Sequence, residues 1–172
     1  MERRIRQYVG LIVAVILYYI VHEGAHLLVA LSYGVFRQIK FMGLVGVQID
    51  ADITQMTDNQ LGIFCLVGAL STLVFGWLLI GLCNLLCSLE SKVLRTIAWY
   101  TSIIMLLLDP LYLSILCGFF GGGDMNGIAL LFPEIGVRIV AAIIGVLHLI
   151  VLIKYVLPKY TKSFQENREK SA

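Results

Sequence analysis

Two histidines four residues apart with a glutamate between them, His22-Glu-Gly-Ala-His26, form an HExxH motif. On a helix this spacing puts both imidazoles on one face, within reach of a single zinc ion. Glu23 is turned about 100° from its neighbour, beside the water such an ion carries and not on the ion itself. A carboxylate in that position suits a general base for hydrolysis. So short a motif also arises by chance, but its setting argues against chance. It lies in residues 8–33, an apolar run long enough to cross a bilayer. At mid-bilayer each ionisable group costs on the order of 3 kcal/mol, so three within about one helical turn point to a metal site.

A hydrolytic zinc centre usually takes three protein ligands and keeps a fourth position open. Two distant aspartates are candidates for the third: Asp109 in Met105-Leu-Leu-Leu-Asp-Pro110, and Asp124 in Gly121-Gly-Gly-Asp-Met-Asn-Gly127. Depth favours Asp109, because His22 and Asp109 each lie about 16 Å of helix from the outward end of their spans. Local chemistry favours Asp124, where three glycines permit a closely packed backbone that dips inward. Asp124 is also expected to cap the short helix after it. The residues alone leave the two open. Asn126 is a candidate donor to a substrate carbonyl or developing oxyanion, or an ordinary first-turn residue. His148 reads as a packing histidine bonded to a neighbouring backbone group in preference to a further ligand.

The elements that must position these groups are membrane spans. The 172 residues are 59% hydrophobic and 14% charged, with a mean hydropathy of +0.90. That is far from a soluble composition, and it excludes a disordered chain, a nucleic-acid binder and a small disulfide scaffold. Apolar stretches at 8–33, 61–87, 93–120 and 139–157 predict four crossings, and residues 125–132 are too short to cross alone. Ten of the 13 Lys and Arg residues fall on the side of the termini, which predicts cytoplasmic ends. The connection over 35–59 and the glycine turn at 121–123 would then face outward. The basic start, Met1-Glu-Arg-Arg-Ile-Arg6, reads as part of a retained anchor. Cys65, Cys83, Cys87 and Cys117 all lie in apolar spans and read as packing residues. Residues 1–160 are expected to form one integral-membrane domain, and 161–172 a polar basic tail, loose after Pro158.

Between the first two spans the hydrophobic period changes. Ile39 and Phe41 alternate with polar neighbours, and Val45, Val47 and Ile49 alternate after Gly43-Leu-Val-Gly46. Two alternating runs around glycines predict a short β-hairpin, or a re-entrant element lying at the bilayer surface. The fold class is an all-α membrane protein with about four transmembrane helices and this hairpin after the first.

HExxH within a membrane helix, with a distant Asp near glycines in a later segment, resembles the site-2 protease family of intramembrane zinc metalloproteases. The resemblance spans about residues 8–131 in outline. It implies zinc held by His22 and His26 with Glu23 as catalytic base. The family's second motif ends in Leu-Asp-Gly, with an Asn and a Pro upstream, and its Asp is the third ligand. The nearest match is Gly123-Asp-Met-Asn-Gly127, which implies Asp124 as ligand and Asp109-Pro110 as a supporting site. Here Glu-Gly-Ala stands where Glu-x-Gly is usual, and Val67-Gly-Ala-Leu-Ser-Thr72 only faintly matches the family's small-residue motif. Family sites generally open to the cytosol, whereas the charge count here turns the site outward. The resemblance implies a membrane-embedded or membrane-adjacent peptide or protein substrate, with the hairpin presenting it. The alternative is a non-catalytic membrane zinc-binding protein, a carrier or a degenerate protease scaffold.

Overall fold

Helix α1 (Arg3–Ser32) buries a single stripe in which Gly10, Ala14, Tyr18, His22, His26 and Ala30 recur every fourth residue. Ile12, Ile16, Ile20 and Leu28 stay exposed on the other side, as suits a helix with one face in lipid. The structure, a computed structural model, describes residues 2–43, 46–120 and 122–169. Four helices in it are long and apolar enough to cross a membrane: Arg3–Ser32, Asp58–Gly81, Lys92–Ser114 and Glu134–Gln165.

The expected hairpin follows α1. Strand β1 (Phe36–Met42) pairs antiparallel with β2 (Gly46–Ala51), Ile39 opposite Ile49 and Phe41 opposite Val47. Val45, part of the alternation read from the sequence, lies outside the described residues. Helix α2 (Asp58–Gly81) starts on a capping box in which the Thr57 hydroxyl and the Gln60 side chain each accept from the other's backbone amide. It ends earlier than hydropathy suggests, because the chain breaks at Leu82 before a short α3 (Cys83–Ser88). The thiols of Cys83 and Cys87 share a hydrogen bond at 3.9 Å and form no disulfide.

Helix α4 (Lys92–Ser114) is the central element, packed against α1, α2 and α6 (Glu134–Val151). It carries Pro110, whose missing N–H leaves the carbonyl of Leu106 without its helical partner. His148 fills that vacancy from α6: its Nδ1 lies 2.8 Å from the Leu106 oxygen, and its Nε2 accepts from the Trp77 indole at 3.1 Å. His148 is thus the packing histidine the sequence suggested.

After α4 a tight turn leads to α5 (Gly123–Ile128), the short apolar piece, which packs against α2. Gly122 and Gly123 have φ of 85° and 37°, the left-handed region that glycine tolerates. Gly127 has no room for a Cβ against the Cys65 side chain, so its lack of one sets the close approach of α5 to α2.

The segment read as a loose tail is largely helical. Leu152–Val156 forms a π turn in which the Leu157 amide reaches back five residues to the Leu152 carbonyl. That change of register accommodates Pro158, and α7 continues from Leu157 to Glu169 with Tyr160 and Ser163 buried.

Candidate metal centre

The side chains of His22, Glu23 and His26 bring their ligand atoms within 4.8 Å of one another, a group able to hold a metal ion. The two imidazoles are buried, and their Nε2 atoms stand 3.1 Å apart. Asp124 Oδ2 arrives from α5, 3.2 Å from His22 Nε2 and 3.6 Å from His26 Nε2. Metal–ligand bonds of about 2.0–2.1 Å in tetrahedral arrangement put ligand atoms about 3.3 Å apart, so this triangle has the size one ion requires.

Each ring is oriented through its other nitrogen. His26 Nδ1 lies 2.7 Å from the Phe64 carbonyl, a pure acceptor, so Nδ1 carries the proton and Nε2 presents a lone pair. His22 Nδ1 faces Asp109 Oδ1 at 3.4 Å and the Tyr18 hydroxyl at 3.3 Å. Tyr18 donates to Asp109 Oδ1 at 2.6 Å, and the Thr72 hydroxyl donates to Asp109 Oδ2. With its Nδ1 proton directed at Asp109, His22 also turns a lone pair inward. With both rings neutral and protonated on Nδ1, two lone pairs and a carboxylate oxygen converge on one point, a donor set that a cation satisfies.

Gly68 of α2 closes the site from above. A Cβ there would stand 2.5 Å from His26 Nε2 and 2.7 Å from His22 Nε2. Only a residue without a side chain leaves space over the two nitrogens.

Glu23 Oε2 accepts from the Ile49 amide at 2.9 Å, an N–H directed away from β1. A cavity of about 290 Å³ runs beside it, lined among others by Tyr19, His26, Gln48, Tyr112 and Asp124. A larger apolar groove of about 680 Å³ lies between α1 and the hairpin and reaches Glu23 and Gly24. Nothing stands within 4 Å of where a Gly24 Cβ would be, so the helix surface beside Glu23 is open. The hairpin itself is tied by ion pairs, Arg37 to Asp52 at 2.7 Å and Lys40 to Asp50 at 3.0 Å. The Thr54 hydroxyl and then Arg37 hold the Asp52 carboxyl down to about 2, and Lys40 lowers that of Asp50.

His22, Glu23, His26, Asp109 and Asp124 are therefore brought together, the two aspartates on opposite nitrogens of His22. Asp124 is not the helix cap the sequence suggested: Gly122 holds that position, and the carboxylate turns to the histidines because it sits inside the first turn. Asn126 does not line the cavity beside Glu23; its amide lies against Gly122. Sequence reasoning missed Tyr18 and the Phe64 carbonyl, and gave Gly68 and Thr72 no role beyond the faint match of their run to a small-residue motif. Tyr18 was legible in principle, since it precedes His22 by one turn on the same stripe. A backbone carbonyl leaves no such signal. Compared with family models, with curated proteins and with solved structures, the chain finds no match.

Proposed function

We propose that this chain is a small intramembrane zinc metalloprotease of the site-2 protease type, hydrolysing a peptide bond in a membrane-embedded or membrane-adjacent segment. The observation that carries this reading is the convergence of His22 Nε2, His26 Nε2 and Asp124 Oδ2 within 3.1–3.6 Å, with Glu23 adjacent. Two imidazoles and a carboxylate are a donor set that suits zinc, and the three residues would hold it. Bound there, zinc supplies Lewis acidity that lowers the pKa of a water toward neutrality and polarises a carbonyl.

The protein's own groups do the rest. Asp109 fixes the tautomer and plane of the His22 ring, and Phe64 does so for His26. Glu23 takes a proton from the attacking water and passes it to the leaving amine. A helical substrate hides its peptide groups and must unwind first. The apolar groove between α1 and the hairpin offers a path from lipid to Glu23, and the hairpin beside it is the strand element that would hold the unwound segment.

A zinc carrier would need ligating groups strung across the membrane depth. Among the described residues the single metal-capable group lies at one level, and a carboxylate beside the ion's water suits hydrolysis rather than transport. The deciding experiment replaces Glu23 with Gln and follows a co-expressed single-span substrate. Retained zinc with abolished cleavage is expected; unchanged processing would remove the protease reading.

A further inference from the structure

About 28 Å along α1 from His22, the first turns of α1 and α4 meet α7 around a cavity of about 440 Å³. Arg3, Arg6 and Lys92 line it together with Gln7, Trp99 and Phe164, and among the described residues no carboxylate lines it. Arg95 lies behind this wall, 0% exposed. Among the described residues none of these four cations is in an ion pair.

Their hydrogen-bonding capacity is also only partly used. Arg95 donates from Nη1 to the Ser163 carbonyl at 2.7 Å and hydroxyl at 2.6 Å. Its Nε and Nη2 are buried without a partner, as is Nε of Arg6. Both guanidinium groups stand over the ring of Phe164, 5.6 Å from its centre for Arg6 and 5.1 Å for Arg95. Phe164 is itself a wall of the cavity, so the two cations gather on that wall. The clustered like charges of Arg3, Arg6 and Lys92 and the unfilled Nε donor of Arg6 carry a cost, and an anion with several acceptor oxygens in the cavity relieves both parts of it.

We propose that this cavity binds a phosphate group, supplied by the headgroup of an anionic phospholipid. Phosphate suits guanidinium donors because its oxygens accept from the planar fork in pairs. The location favours lipid over a free ion. The spans begin at Arg3 and Lys92, so the cavity lies at the membrane edge, and Trp99 beside it is an interface residue. Basic pockets between spanning helices at that depth hold acidic headgroups. The site is distinct from the metal centre and independent of the proposed protease activity.

The test uses the full chain in neutral detergent, titrated separately with dioctanoyl phosphatidylglycerol, dioctanoyl phosphatidylcholine and inorganic phosphate. Thermal midpoints and lipid adducts in native mass spectrometry are read. Phosphatidylglycerol is expected to raise the midpoint and bind, and phosphatidylcholine to do neither. The double variant Arg6→Gln/Lys92→Gln should bind phosphatidylglycerol about thirty-fold more weakly. Arg4→Gln/Lys154→Gln removes the same charge outside the cavity and should bind as the parent does; circular dichroism and monodispersity in detergent report that both variants fold. Inorganic phosphate matching the lipid, with the same loss in the first variant, supports the phosphate chemistry with a free ion as its source. The proposal fails if neither phosphate probe shifts the parent protein, or if both double variants weaken binding equally.

Discussion

Asp109 Oδ1 stands 3.4 Å from Nδ1 of His22, on the nitrogen opposite the one that faces Asp124. One imidazole is thus held between two carboxylates, and only one of them shares the space enclosed with His26. The other is engaged by Tyr18 and Thr72 and is 2% exposed. The two aspartates should therefore fail differently when removed. Asp124→Ala should drop bound zinc well below one per chain. Asp109→Ala should keep the stoichiometry and weaken affinity about 10–100-fold, as loss of a group behind a metal ligand does. Metal analysis with chelator competition on both variants distinguishes them, and the reverse pattern would exchange their roles.

Gly68→Ala makes a sharper test of the space above the histidines. In the interior of a helix alanine is favoured over glycine by about 1 kcal/mol. Here its Cβ would press on both Nε2 atoms. The variant is expected to retain a helical fold and to lose metal binding by at least about a hundred-fold, the scale of 2.7 kcal/mol or more. Circular dichroism with zinc titration reads both halves; a variant that binds zinc normally would show that the rings are free to move aside.

The spans and the metal motif were legible because both are periodic. Hydropathy needs only length, and HExxH needs only the i, i+4 face, which the structure extends to Tyr18 and Ala14 on the same stripe. Choosing between the two aspartates was not possible from the chain. Depth pointed to Asp109 and glycine content to Asp124, and each signal was sound, since both carboxylates reach His22 from opposite sides. What sequence lacked was the azimuth of α4 and the depth to which α5 descends, both set by packing. Gly127 against Cys65 decides the second, a contact between residues 62 positions apart. Pro158 misled for a related reason. A proline ends a helix of fixed register, but the π turn before it shifts the register and lets α7 go on.

The hairpin should respond to acid in a narrow range. Hydrogen bonds from Thr54 and Arg37 hold the Asp52 carboxyl at about 2, below its ordinary value of 3.8, and Lys40 lowers Asp50 likewise. A depressed carboxyl stabilises the fold fully above its ordinary pKa and loses that contribution as pH falls through the depressed one. The hairpin is therefore expected to be indifferent between pH 7 and pH 5 and to loosen from about pH 4 downward. Amide exchange in β1 and β2 across this range is the measurement. Loosening already at pH 6 would contradict the assignment, and Asp52→Asn should abolish most of the response.

The bond between His148 and Leu106 yields the last prediction, because the proline that creates the vacancy is also the means of testing it. His148→Ala strands the buried Leu106 carbonyl and leaves the part-buried Trp77 indole N–H without its acceptor. Each unsatisfied group costs about 1–3 kcal/mol, so a loss of roughly 2–4 kcal/mol is expected, with zinc content unchanged. Pro110→Ala restores an N–H at position 110 that can bond Leu106 within α4. If the histidine is there to satisfy that carbonyl, its removal should cost about 1 kcal/mol less in the Pro110→Ala background. A double-mutant cycle of unfolding free energies measures the difference. Equal costs in the two backgrounds would mean that His148 acts only through Trp77 and packing, and that the carbonyl bond contributes nothing of its own.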